Sequence, residues 1–143
     1  MRIVLTGASG LLGRAFYREL TMANHSVIGG AIDDWAVRFP TWVDDVACFL
    51  RHWTAALEQG EALSGIWHVS GLEAMSKFGM CQRIAAVLGL NAKGVEPCSE
   101  PGGGAPRPRN SQLDCARARA RGWMVSTPFE EAVREVDASM PER

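Results

Sequence analysis

The chain has 143 residues, 47% of them hydrophobic, with 15 basic residues set against 16 acidic ones. That length favours one domain with a real core, and 22% charged with 8% aromatic residues is the make-up of a folded protein, not a disordered one. A net charge of −1 excludes a globally basic nucleic-acid binder, and no run of 18 apolar residues is present to span a membrane. In chain order, residues 2–6 are a short apolar run ending at Gly7 and are expected to form a buried parallel strand, leaving no room for a signal peptide before it. A helix is expected over residues 11–23, with Leu12, Ala15, Phe16 and Leu20 on one face, followed by a second strand over 27–31. This is a β-α-β start.

Residues 32–39 show no clear period. From Thr41 the helical spacing returns, with Val43, Val46, Ala47, Leu50, Trp53 and Leu57 recurring at three- and four-residue steps as the stripe a helix turns toward a core. Thr41 is the expected N-cap, with Asp44 supporting the first turn. Residues 65–70 alternate like a strand. Ser76 is expected to cap a helix whose face is Phe78, Cys81, Ile84, Ala85 and Leu88 and which ends near Gly89. The proline- and glycine-rich residues 96–109 read as a loop, and Asp114 as the cap of a short helix stopped by Gly122. Finally, Thr127-Pro128-Phe129-Glu130 reads as a capping box with proline at the first helical position, its helix presenting Phe129, Ala132, Val133 and Val136.

Cys48, Cys81, Cys98 and Cys115 are widely spaced and contain no Cys-x-x-Cys pair, which points to reduced thiols in the cytoplasm. Cys48 and Cys81 read as small hydrophobes on helix faces, and His25, His52 and His68 add no metal-site spacing. Five arginines against Asp114 alone mark residues 105–122 as locally basic. Arg117, Arg119 and Arg121 fall at two-residue steps, which scatters them around a helix, so no nucleic-acid face is expected. The five tryptophans read as core or interface anchors.

One motif carries a chemical mechanism. Thr6-Gly7-Ala8-Ser9-Gly10-Leu11-Leu12-Gly13 lies between an expected strand and an expected helix, the context of a dinucleotide fingerprint. Gly7 permits the tight turn, Gly10 lets backbone approach a pyrophosphate, and Gly13 lets the helix pack close to the strand. Ser9, Gly10, Leu11 and Leu12 would turn their amides toward the phosphates of NADP or NAD at the positive end of the helix. The candidate cofactor-binding residues are therefore Gly7, Ser9, Gly10, Leu11, Leu12 and Gly13. Asp33, 20 residues beyond Gly13, is either a ribose ligand or a solvated loop carboxylate beside Asp34. No metal ligands are assigned.

These residues bring a known family into view. Thr-Gly-x-x-Gly-x-x-Gly at positions 6–13 resembles the extended short-chain dehydrogenase/reductase superfamily. Arg38-Phe39-Pro40-Thr41-x-Val43-x-Asp45-Val46-Ala47 resembles the entry to the substrate domain in dTDP-4-dehydrorhamnose reductase-like proteins. Gly65-Ile66-Trp67-His68-Val69-Ser70-Gly71, followed by Met75-Ser76-Lys77-Phe78, is similar to that family's late strand and helix. Arg107-Pro108-Arg109-Asn110-x-Gln112-Leu113-Asp114-Cys115 and Thr127-Pro128-Phe129 resemble the branch that serves as the regulatory β subunit of methionine adenosyltransferase.

The resemblance also implies a gap. In the family, a long middle portion carries the remaining sheet strands and a Tyr-x-x-x-Lys pair used in hydride transfer. Here the N-terminal similarity runs to about Ala31 and the C-terminal similarity starts by about Trp35. Tyr17 is the only tyrosine, Thr21 stands four residues on, and Lys77 and Lys93 have no tyrosine partner. Ketone reduction needs a proton donor of that kind, so no catalytic residue is assigned and independent reductase activity is not expected. The expected fold is α/β: a truncated Rossmann-like unit over residues 1–31 joined to a small C-terminal α/β remnant of the substrate domain over 32–143. The implied function is a non-catalytic regulatory or binding protein. Its partner would be the catalytic subunit of methionine adenosyltransferase, which makes S-adenosylmethionine, and the glycine loop would bind NADP or NAD only weakly. The alternative is a truncated NAD(P)-dependent sugar-nucleotide reductase. An exposed sheet edge left by the absent strands is a further expected route to self-association. Arg107 and Asn110 are candidates for shaping the substrate-side site.

Overall fold

A computed structural model describes residues 31–92, 94–101 and 107–140. The strand expected over 2–6, the helix over 11–23 and all but the last residue of the strand over 27–31 lie outside the described residues. Two strands and four helices follow. Strand β1 (Ala31–Asp33) lies parallel to β2 (Glu96–Cys98), with Ala31 opposite Glu96 and Asp33 opposite Cys98. Asp34 N–H prolongs the ladder to the Cys98 carbonyl at 2.9 Å. The expected loop over 96–109 thus begins as a strand. Pro97 lacks one ladder donor, and among the described residues β2 pairs with β1 alone, which leaves a side where that loss is tolerated.

The segment without a period in the sequence is held from both sides. Val37 N–H donates to the Arg109 carbonyl at 2.7 Å, and its own carbonyl accepts from Ser111 N–H at 3.2 Å. On the other side Arg38 and Met75 exchange both backbone hydrogen bonds, at 2.8 and 3.0 Å. Residues 65–70 do not form the expected strand. Their neighbourhood is satisfied by a side chain instead: the Arg117 guanidinium donates to the carbonyls of Ser64 and Ile66, both at 2.8 Å.

Helix α1 (Val43–Glu58) starts without a side-chain cap. Thr41, the expected cap, donates its hydroxyl to the Phe39 carbonyl and accepts from Gly71 N–H at 2.9 Å. Asp44 and Asp45 do stand in the first turn, where they complement the helix dipole. The buried face also differs from the expected stripe. Asp45, Phe49 and Ala56 point inward, whereas Val43, Leu50 and Leu57 of the expected stripe are 62%, 50% and 42% exposed. Phe49 sets this rotation, because its ring meets those of Trp67 and Trp123 at centroid distances of 6.3 and 6.2 Å.

Helix α2 (Lys77–Leu88) forms as its sequence predicts. Ser76 Oγ accepts from Gly79 N–H at 3.0 Å, and Gly89 closes the helix in the left-handed region at φ 64°. Ala85 is buried, with Phe78, Cys81, Ile84 and Leu88 half-buried on the same side. Short helix α3 (Ala116–Ala120) follows Asp114, whose carboxylate accepts from Ala116 N–H at 2.9 Å, and ends before Gly122 at φ 67°. Helix α4 (Phe129–Ala138) packs on α2 with the expected face of Phe129, Ala132, Val133 and Val136 half-buried on the side of α2. Its capping box does not form: Pro128 is the N-cap, and the Thr127 and Glu130 side chains bond elsewhere.

The described core consists mostly of small residues, with Ala36, Ala56, Ala85, Ala118 and Cys115 buried beside Phe49 and Met75. Trp67 and Trp123 stack at 5.4 Å against Phe49, and Arg117 and Arg121 cover their outer faces at 4.2 and 4.8 Å. All four cysteines are free.

Candidate functional site

A groove of about 500 Å³ opens between α2 and α4, with residues 38–43 along its floor. Met80, Ile84 and Leu88 form one wall, Phe129, Val133 and Val136 the other. The walls are fixed at the N-terminus of α4 by acids from other elements. Both oxygens of buried Asp45 accept from Thr127, the amide at 2.8 Å and the hydroxyl at 2.7 Å. Glu73 accepts from Phe129 N–H at 2.6 Å, so two carboxylates sit where the helix dipole is positive.

Arg83 of α2 closes the clasp. Its guanidinium donates to Glu73 at 2.5 Å and twice to Glu130, once at 2.6 Å, while lying 5.3 Å from the Phe129 ring centre. The hydrogen bonds to Glu130 and then Glu73 push the Arg83 pKa up, and Arg83 in turn holds the Glu130 carboxyl below its ordinary range. Burial raises the Cys81 thiol on the same helix.

The floor is equally committed. Arg38 donates to the carbonyls of Val37 and Pro108 at 3.0 and 3.1 Å and stands 3.8 Å from Asp33. Arg38, Thr41 and Thr127 are thus bound within the chain. Most of the groove's remaining lining is apolar surface.

The candidate cofactor residues Gly7, Ser9, Gly10, Leu11, Leu12 and Gly13 lie outside the described residues, as do Tyr17 and Lys93. Asp33 is described, and it does not suit a ribose. One of its oxygens accepts from the amides of Trp35 and Ala36, both at 3.2 Å, and the other faces Arg38. Asp33 is thus committed to its own turn and to Arg38. Asn110 pairs with Val37 and accepts from Gln112 N–H at 2.8 Å, so it shapes the floor through the backbone, and Arg107 is exposed. Among the described residues, no cluster of histidine, cysteine and carboxylates can hold a metal ion. Sequence reasoning missed the roles of Glu73 and Arg83. Their spacing of ten residues carries no helical or strand period, and their partners in α4 lie about fifty positions away.

Among the described residues, two short parallel strands and four helices hold the Arg107–Asn110 segment against Val37 and Arg38, and the family that this arrangement belongs to is a substrate-binding domain. Residues 30–140 match the family model for the RmlD substrate binding domain, and the chain belongs to that family. It is 39% identical over 105 residues to methionine adenosyltransferase 2 subunit beta of Xenopus tropicalis, a match covering 73% of this chain and 31% of the relative. The same subunit from Danio rerio is 40% identical over 107 residues, covering 73% and 33%. The chain thus spans about a third of the length of these curated relatives. Among solved structures, dTDP-4-dehydrorhamnose reductase from Bacillus anthracis, in complex with NADP, shares the fold. The TM-score is 0.70 at 20% identity, over 97% of this chain and 46% of the reductase.

Proposed function

We propose that the chain is a non-catalytic regulatory or binding protein of the methionine adenosyltransferase β-subunit type, acting on S-adenosylmethionine synthesis through a catalytic partner. The observation that carries this reading is the 39% identity to methionine adenosyltransferase 2 subunit beta over 73% of the chain. The groove supports it chemically, since its apolar walls suit burial against a protein segment and Arg38, Thr41 and Thr127 among its polar lining residues are already bound. The partner is the catalytic subunit, and α4 with the groove beside it is its contact surface. For the glycine motif of residues 7–13 we propose a weak affinity for NADP or NAD.

The test is co-purification with a catalytic subunit of methionine adenosyltransferase, with and without NADP. Retention of the chain is expected, and Val133→Asp in the groove wall is expected to abolish it. Failure of the wild-type chain to be retained in either condition overturns the proposal. Calorimetric titration with NADP should give a dissociation constant above about 10 μM, corresponding to less than roughly 7 kcal/mol of binding energy. Oxidation of NADPH with a 4-keto sugar nucleotide would restore the reductase alternative.

A further inference from the structure

Helix α1 carries an apolar stripe opposite its buried face. Val43, Ala47, Leu50, Thr54 and Leu57 succeed one another at steps of four and three residues, the spacing of one seam of a two-helix coiled coil. Each of them is exposed. The Thr54 hydroxyl is spent on the carbonyls of Leu50 and Arg51, both at 3.0 Å, so the stripe buries no orphan donor there.

The flanks say what fits. Exposed Asp44, Arg51 and Glu58 run along one side at seven-residue intervals, and half-buried Val46 and Trp53 along the other. In an antiparallel pair, each flank meets its own counterpart. Setting Ala47 against Leu50 of a second copy brings Asp44 beside Arg51 twice, once on each side of the two-fold axis, and Val46 beside Trp53. Sliding the pair by one heptad, so that Leu50 faces Thr54, sets Arg51 against Arg51 and Asp44 against Glu58. A parallel pair sets the charged flank against the apolar one. Only the first arrangement matches both flanks.

We propose that two copies of this chain pair through α1 in that antiparallel alignment, joined by reciprocal Asp44–Arg51 ion pairs. The interface is isologous, and its few layers make it small, so the dimer is weak and depends on concentration. Sedimentation equilibrium of the full chain from about 5 to about 500 μM should show the mass rising from monomer toward dimer. Leu50→Glu should hold the chain monomeric with an unchanged circular dichroism spectrum. Arg51→Asp should weaken pairing by about tenfold, and Asp44→Arg combined with Arg51→Asp should restore it to within about threefold. Glu58→Gln, outside the paired set, should leave it unchanged. A wild-type chain that stays monomeric throughout overturns the proposal, because the stripe is then covered by the chain itself or by another protein. A dimer indifferent to Leu50→Glu, or a charge swap that fails to restore pairing, overturns it as well.

Discussion

Asp45 is a carboxylate only 5% exposed, and both of its oxygens are used by a residue 82 positions away. Asp45→Ala strands the Thr127 amide without a partner, so a loss of about 2 kcal/mol in urea unfolding is expected, with Asp45→Asn losing less. Glu130 gives the clasp a pH dependence. Its folded pKa lies below its unfolded value, chiefly through its hydrogen bonds with Arg83. The stabilisation is therefore fully present above the ordinary glutamate pKa of about 4.3 and is lost as pH falls through the lowered folded value. The unfolding midpoint should drop as pH is taken from about 5 to about 3, and Glu130→Gln should flatten part of that slope. At this scale the sequence displays residue types without their partners. Asp45 is visible in its motif as an acid in a first helical turn, but nothing near it announces Thr127.

Elements whose signals are local were legible, and those built from distant pieces were not. Ser76 and Gly89 bracket α2 from within, and the structure uses both. Strand β2 exists only because residues 31–33 lie beside it, which no window around Pro97 contains. Helix α1 is the mixed case. Its apolar spacing is real, but the helix has a second face with Phe49, and the ring contacts to Trp67 and Trp123 decide which turns inward. The junction between α1 and the 65–71 segment rests on Gly71. A Cβ there would stand 1.9 Å from the Pro40 carbonyl oxygen, a backbone atom that cannot step aside. Gly71→Ala should cost more than about 3 kcal/mol or prevent folding, as read by thermal melting. Gly60→Ala meets nothing within 4 Å, so its positive φ alone should cost about 1 kcal/mol.

For the molecule as a whole, the family was legible from the short motifs between residues 38 and 129, and the match over residues 30–140 bears that out. The described part of the candidate site was less so, because its groove is assembled from α2, α4 and a floor strung between them. The carboxylate of Asp33 is occupied by its own turn, which the sequence around it does not announce. The stacked indoles of Trp67 and Trp123 have a consequence of another kind. At 5.4 Å and an interplanar angle of 20°, their electronic transitions couple, so the pair should produce an exciton couplet in the far-ultraviolet circular dichroism. Trp123→Phe should erase it. Because one indole sits before Ser70 and the other just beyond α3, the couplet is an intrinsic optical gauge of whether these two stretches of chain have met, readable during refolding without any added label.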